Sequence, residues 1–452
     1  MTSSKNKKPN FRVKHPYGYL VRSILLGIVL VLTAVLGSFT VNAIQPKKEV
    51  QAAATEGSWA SYAATSWSGT GTSSSPFQIN TPQRLARMIN HVYSNSGGYG
   101  YYYMLTADID LSGHYWPGIG VADPYSGSDE GYEPWYNSSG TDTGGVFCGT
   151  FLGNGYKIKG LVLGDGDSDG DIDGRGLFNS SFNAQIYDVI LDKPHVVGTN
   201  SSCAGFVAIA VETSFYNCMV TGKFDGYGTE DNFNLAYQYT TTQYSDDESY
   251  PIIAGTGSWG VGAFVGEGEN LTFYNCKNSI AVFTTRNSAG GFVGRLHGTD
   301  SLLIRTDSVP DRTLIYYSYS HGSVTASITG DSTNQIHLGG FIGTNYTGDA
   351  VDFTGCGSTG AVVSFKKQAS STAAMPTTST SNVGGFVGYD SSSSPAQYSY
   401  CYRLSWSQME VDYITSGEVL MTYDGTYDSY YRIIVVFNNG HMANIEVNYD
   451  AL

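Results

Sequence analysis

Five aspartates carry the clearest chemical spacing in the chain, in Asp165-Gly166-Asp167-Ser168-Asp169-Gly170-Asp171-Ile172-Asp173. Acids at positions one, three and five, glycine at six and an acid at nine repeat the first part of an EF-hand-type calcium loop. A hard cation wants oxygen ligands, and the glycine permits the sharp turn that converges them. Asp165, Asp167 and Asp169 would offer carboxylate oxygens, Asp171 its backbone carbonyl, and Asp173 a direct or water-mediated contact. The twelfth position is Gly176 instead of a bidentate Glu, so the expected calcium affinity is weak, ~10⁻⁴–10⁻³ M. The alternative is a solvated acidic loop. Five crowded carboxylates repel one another without a cation, which favours the metal.

The remaining chemical candidates read as structure. Asp108 and Asp110 alternate with Ile109 and Leu111, so on a strand both point outward from one face and need not converge on a substrate. Gly255-Thr256-Gly257-Ser258-Trp259-Gly260 spells GxGxxG. A dinucleotide site needs a helix after that sequence, whereas here a glycine-rich repeat follows. The eight histidines have neither metal nor triad spacing, and no GxSxG occurs. His114 lies beside Tyr115 and Trp116 and reads as packing. No catalytic residue is expected. Tyr99, Tyr101, Tyr102, Tyr103, Tyr125, Tyr132, Trp135 and Tyr136 crowd the N-terminal loops. Aromatic rings with polar tips suit sugar or protein contacts, and they also suit plain loop packing.

The elements that would position these residues are strands and turns. Charged residues make up 14% of the chain, with 56 glycines and 35 tyrosines, a composition that favours strands and tight turns over long helices. The formal charge of −15 argues against nucleic acid, whose phosphates would be repelled. One pattern recurs. Its heads are Gly290-Gly291-Phe292-Val293-Gly294, Gly339-Gly340-Phe341-Ile342-Gly343 and Gly384-Gly385-Phe386-Val387-Gly388, with looser copies at Gly262–Gly266, Ala204–Ala208 and Gly176–Asn179. Tails follow, as in Phe215-Tyr216-Asn217-Cys218, Phe273-Tyr274-Asn275-Cys276, Ile315-Tyr316-Tyr317-Ser318, Phe353-Thr354-Gly355-Cys356 and Tyr398-Ser399-Tyr400-Cys401.

No repeat offers helical periodicity over three turns. Short alternating runs broken by Gly, Asn and Ser read as strands joined by turns. A unit this short cannot bury its apolar face alone, whereas stacked units bury it continuously. The expected fold is all-β: a right-handed parallel β-solenoid (β-helix) with a short N-terminal capping helix over Pro82–Asn90 and a small C-terminal β segment. Val419–Tyr423 and Arg432–Phe437, with a turn at Asn438-Asn439-Gly440, would supply that segment as a hairpin or cap. In the stack Cys218, Cys276, Ser318, Cys356 and Cys401 form one inward ladder of small side chains. Free thiols suit that ladder, with disulfides between neighbouring rungs the alternative.

The heads and tails resemble the GLUG motif of bacterial surface proteins, over roughly residues 170–405. The segment from Trp67 to Ile158 is similar to the opening module of the same proteins. The resemblance implies β-helical stalks and adhesin-like function. Residues 1–43 read as a signal peptide, with Lys5, Lys7, Lys8, Arg12, Lys14 and Arg22 ahead of an apolar run and Val41-Asn42-Ala43 at the cleavage site. An uncleaved N-terminal membrane anchor is the alternative, although the core Ile24–Leu36 is shorter than the ~20 residues a spanning helix needs. Cleavage removes six basic residues and no acid, taking the formal charge from −15 to −21. The expected organisation continues with a linker over 44–57, a cap and first coils over 58–160, the repeats over 161–404 and the C-terminal segment over 405–452. The expected role is a secreted or cell-surface protein that binds a glycan or protein ligand without catalysis and could associate with the cell envelope. A polysaccharide lyase or glycoside hydrolase on the same architecture is the alternative.

Overall fold

A computed structural model describes residues 55–121, 145–163, 175–199, 202–222, 252–256, 259–297, 312–329, 335–346, 350–360, 362–367, 381–392, 395–403, 409–413, 419–422, 431–438 and 441–449. Strands dominate, and nearly all of them pair in parallel. From Phe178 onward the chain passes through a fixed order of strands. It runs through Phe178–Phe182, Gln185–Tyr187, Ile190–Asp192, His195–Thr199 and Cys203–Ala204. It then returns at Val207–Val211, which lies in register beside Phe178–Phe182. The same order repeats to Arg403, so each strand pairs with its counterpart one circuit away.

Three of the resulting ladders matter for function. The head ladder holds Phe178–Phe182, Val207–Val211, Val265–Glu269, Val293–Leu296, Ile342–Asn345 and Val387–Asp390. The tail ladder includes Gln185–Tyr187, Ser214–Tyr216, Thr272–Tyr274, Arg312–Tyr316, Ala350–Thr354 and Gln397–Ser399. An approach ladder of Cys203–Ala204, Gly260–Gly262, Ser288–Gly290, Ile336–Gly339 and Ser381–Gly384 immediately precedes the heads. The spacing of the heads is uneven because segments such as 223–251, 298–311 and 368–380 separate successive ladder strands; these lie outside the described residues.

The repeat residues build the core. Phe206, Phe264, Phe292 and Phe341 are fully buried. Their rings follow one another at 5.2, 4.6 and 4.7 Å, and Phe386 continues the column 5.2 Å beyond Phe341. A second column rises from the tails, where Phe215 stacks on Phe273 at 5.1 Å and Phe353 on Tyr398 at 5.2 Å. The two columns meet edge to face, the arrangement aromatic quadrupoles prefer. Beside them Cys218, Cys276, Ser318 and Cys356 are buried and Cys401 is half-buried. No disulfide links Cys218, Cys276, Cys356 and Cys401. The ladder thiols donate to carbonyls of the preceding circuit, as from Cys276 Sγ to Phe215 O at 3.4 Å and from Cys356 Sγ to Ile315 O at 3.2 Å. Burial pushes the Cys276 thiol well above its usual range and that of Cys356 up to about 12. With so little thiolate these groups are packing residues and not nucleophiles.

At the N-terminal end, helix α1 (Pro82–Ser94) connects the tail-ladder strands Phe77–Ile79 and Tyr102–Leu105. Thr81 caps it by accepting from Arg84 N at 3.3 Å, and Pro82 occupies the first turn, where a missing N–H costs nothing. The helix runs one turn past the expected Asn90, because the first chain-breaking sequence is Asn95-Ser96-Gly97-Gly98. Leu85, Ala86, Met88 and Val92 are its buried residues, while Ile89 is partly covered. Strand Thr55–Ser58 begins inside the expected linker and pairs with His114–Tyr115. Met409–Tyr413 still continues the strand order, pairing in parallel with Val362–Lys367, and on its other side pairs antiparallel with Val419–Thr422; Tyr431–Asn438 pairs antiparallel with His441–Tyr449.

Candidate functional site

The tails place one residue inward and its neighbours outward, as the two-residue period of a strand requires. Phe215 and Phe273 go to the core, and the next residue of each circuit faces out. Register aligns Tyr187, Tyr216, Tyr274 and Tyr316 across four consecutive rungs. Tyr187 and Tyr216 stack at 4.7 Å with their planes 10° apart. Tyr216 and Tyr274 are 6.5 Å apart, and Tyr317 closes edge-on to Tyr274 at 5.6 Å. Tyr274 and Tyr317 are nearly half exposed.

A polar row runs alongside. Asp188, Asn217 and Asn275 turn the chain with φ of 53°, 54° and 52°, a left-handed conformation that Asn and Asp tolerate best among residues with a side chain. Their side chains form a ladder in which Asn217 Nδ2 donates to Asp188 Oδ1 and Asn275 Nδ2 to Asn217 Oδ1, each at 2.9 Å. A cavity of about 470 Å³ opens here, lined by Asn154, Gly155, Asp188, Ile190, Asn217 and Met219. Flat rings beside a line of amides can stack on sugar or peptide groups while satisfying their hydroxyls or amides.

The loop tyrosines singled out from sequence behave differently. Tyr103 is fully buried and bonds His91 Nδ1 at 2.8 Å through its hydroxyl. Tyr101 packs on Phe77 at 5.6 Å, and among the described members of the group only Tyr99 is well exposed. Tyr125, Tyr132, Trp135 and Tyr136 lie outside the described residues, as do the aspartates Asp165, Asp167, Asp169, Asp171 and Asp173. Asp108 Oδ1 accepts from Lys157 N and Asp110 Oδ1 from Ser112 N, both at 3.0 Å, so each carboxylate secures backbone. His114 stacks on Tyr62 at 4.1 Å. Gly255 and Gly260 both sit in strands, with no helix after them.

A second polar group was not legible beforehand. Glu267 is buried in the head ladder, where Ser202 Oγ donates to Oε1 and His297 Nε2 lies 2.7 Å from Oε2. The carboxylate stands between hydroxyl and imidazole, whereas a hydrolytic triad places the imidazole in the middle. Ser202 Oγ also accepts from Gly260 N at 3.1 Å. Burial would raise the Glu267 pKa, but the hydrogen bond and charge of His297, the Ser202 hydroxyl and the Arg295 charge hold it below the usual value. Register sets Ile209, Glu267, Arg295, Thr344 and Tyr389 in one column.

His337 gives a pH prediction. Burial pushes its pKa from 6.5 down to about 4, and Asn382 Nδ2 donates to its Nδ1 at 2.9 Å, a bond that protonation of that nitrogen would break. The unfolded ring takes up a proton first, so stability present above pH 6.5 is lost as pH falls towards about 4. His91 and His321 are shifted the same way, chiefly by burial. Denaturant unfolding from pH 7 to about 4 should therefore show falling stability, with a shallower fall in His337→Asn. Equal slopes would contradict a neutral His337.

No protein-family model matches the chain, and no curated protein matches it. Among solved structures, a putative immunoglobulin A1 protease from Bacteroides ovatus aligns at 14% identity over 80% of this chain and 83% of that one, with a TM-score of 0.41. A likeness that low bears on neither fold nor chemistry here. Among the described residues no group of His, Cys, Asp and Glu is placed to hold a metal, and no helix is long and apolar enough to cross a membrane.

Proposed function

We propose that the chain is an exported, non-enzymatic surface protein whose right-handed parallel β-solenoid displays a binding face for a glycan or protein. The observation that carries this reading is the run of outward tyrosines beside the Asp188–Asn217–Asn275 ladder on consecutive rungs. A stacked scaffold repeats one side-chain row at the strand spacing of ~4.8 Å, so an extended ligand meets the same chemistry several times. The GLUG-like heads and tails and the signal-peptide-like N-terminus support export and an adhesin-like role. Calcium in the loop from Asp165 to Asp173 would stabilise the segment before the first head.

Protein recovered from culture medium, beginning at Ile44 by N-terminal sequencing, should be retained on one or more immobilised polysaccharides or matrix proteins. Soluble polysaccharides incubated with it should gain neither reducing ends nor unsaturated products. Such products would establish the lyase or hydrolase alternative.

A further inference from the structure

A smaller cavity of about 290 Å³ lies where the approach and head ladders meet, just below the ~300–1,000 Å³ of ordinary small-molecule pockets. Trp259, Asn287, Ser288, Arg295, Gln335, His337 and Tyr346 line it. Among these lining residues Arg295 carries the only charge, since burial keeps the His337 ring neutral. The guanidinium lies 4.4 Å from the Tyr346 ring and 5.5 Å from the Trp259 ring. Its Nε is buried and has no hydrogen-bond partner among the described residues. The planar fork of the guanidinium matches a carboxylate. Glu267 does not line the cavity; the Arg295 charge acts on it from the next rung, while its carboxylate oxygens meet Ser202 and His297.

We propose that this cavity binds the carboxylate of an acidic sugar, a hexuronate or a sialic acid. Arg295 takes the carboxylate through the terminal nitrogens of its guanidinium. Trp259, 56% exposed, offers a flat face to the sugar ring, and the exposed Gln335 amide can reach ring hydroxyls. The volume suits one ring, so a chain would be held by a single acidic residue. The site is separate from the tyrosine row and stands whether or not that row binds anything.

The test is calorimetric titration of the secreted protein with D-galacturonate and N-acetylneuraminate, beside D-galactose as the neutral ring and acetate as the bare carboxylate. At least one acidic sugar should bind roughly ten-fold or more tightly than galactose and acetate, and Arg295→Gln should weaken it by a similar factor. Trp259→Ala removes an exposed ring and should keep the wild-type circular dichroism while weakening the acidic sugar several-fold, so it decides the matter if Arg295→Gln misfolds. Equal binding of acidic and neutral sugars, acetate binding as tightly as both acids, unchanged affinity in the folded variants, or no binding of either acid at ~10 mM would each overturn the proposal.

Discussion

Phe341→Ala is expected to cost about 3–5 kcal/mol of stability, the usual range for emptying a buried aromatic site. The ring is fully buried between Phe292 at 4.7 Å and Phe386 at 5.2 Å, with Phe353 edge-on at 5.5 Å. Its removal opens a gap in the middle of a column. The neighbouring rings cannot close that gap, because their own strands are fixed in register with the circuits on either side. Phe292→Ala should behave alike, since that ring lies between Phe264 and Phe341. Tyr400, 94% exposed, supplies the control, and Tyr400→Ala should stay within about 0.5 kcal/mol. Reversible denaturant unfolding measures all three, and a loss below ~1 kcal/mol at Phe341 would place that ring outside the core.

Gly294→Ala is expected to destabilise by about 3 kcal/mol or more, at or above the upper end for forcing extra atoms into a packed interior. A Cβ at this position would stand 2.1 Å from Val261 N and 2.6 Å from Gly260 C. Both are backbone atoms of the approach ladder, so no side chain can swing aside to make room. Gly290 faces the same obstacle, with Val293 O 2.0 Å from the added carbon. Glycine flanks the phenylalanine of each strict head because two backbones approach without space for a side chain between them. Unaltered unfolding of Gly294→Ala would show that the two ladders lie further apart than this.

Much of the fold was legible in the heads and tails. The equivalence of the tails stacked Cys218, Cys276, Ser318, Cys356 and Cys401 in one column, of which the structure leaves Cys401 half-buried, and the burial of Phe292, Phe341, Phe215 and Phe273 follows from the same strand pattern. Local pattern suffices there because a strand sends alternate residues to opposite faces. The binding surface was less legible. Tyr216 and Tyr274 sat in plain view within the tails, yet a row of aromatics becomes a surface only when register aligns circuits 58 residues apart in sequence. The tyrosine-rich loop near Tyr99 has the denser local pattern, yet its Tyr103 fills the core beneath helix α1. The Glu267, Arg295 and Ser202 group was hidden for the same reason. Its members come from three circuits, and only the position following each Val-Gly or Ile-Gly step, which holds Glu267, Arg295, Thr344 and Tyr389 in turn, hinted at a shared column.

The tyrosine row is the central claim, and a glycan and matrix-protein array read with the wild-type protein and a Tyr216→Ala/Tyr274→Ala variant tests it most directly. Tyr274 is 43% exposed, and both side chains leave the tail ladder outward, so the variant should keep the wild-type fold by circular dichroism. The wild type should be retained on at least one ligand class, and the variant should lose roughly ten-fold or more of that affinity through lost ring stacking. Equal retention of a folded variant, or retention of neither protein on any ligand, would contradict a binding face built on these tyrosines.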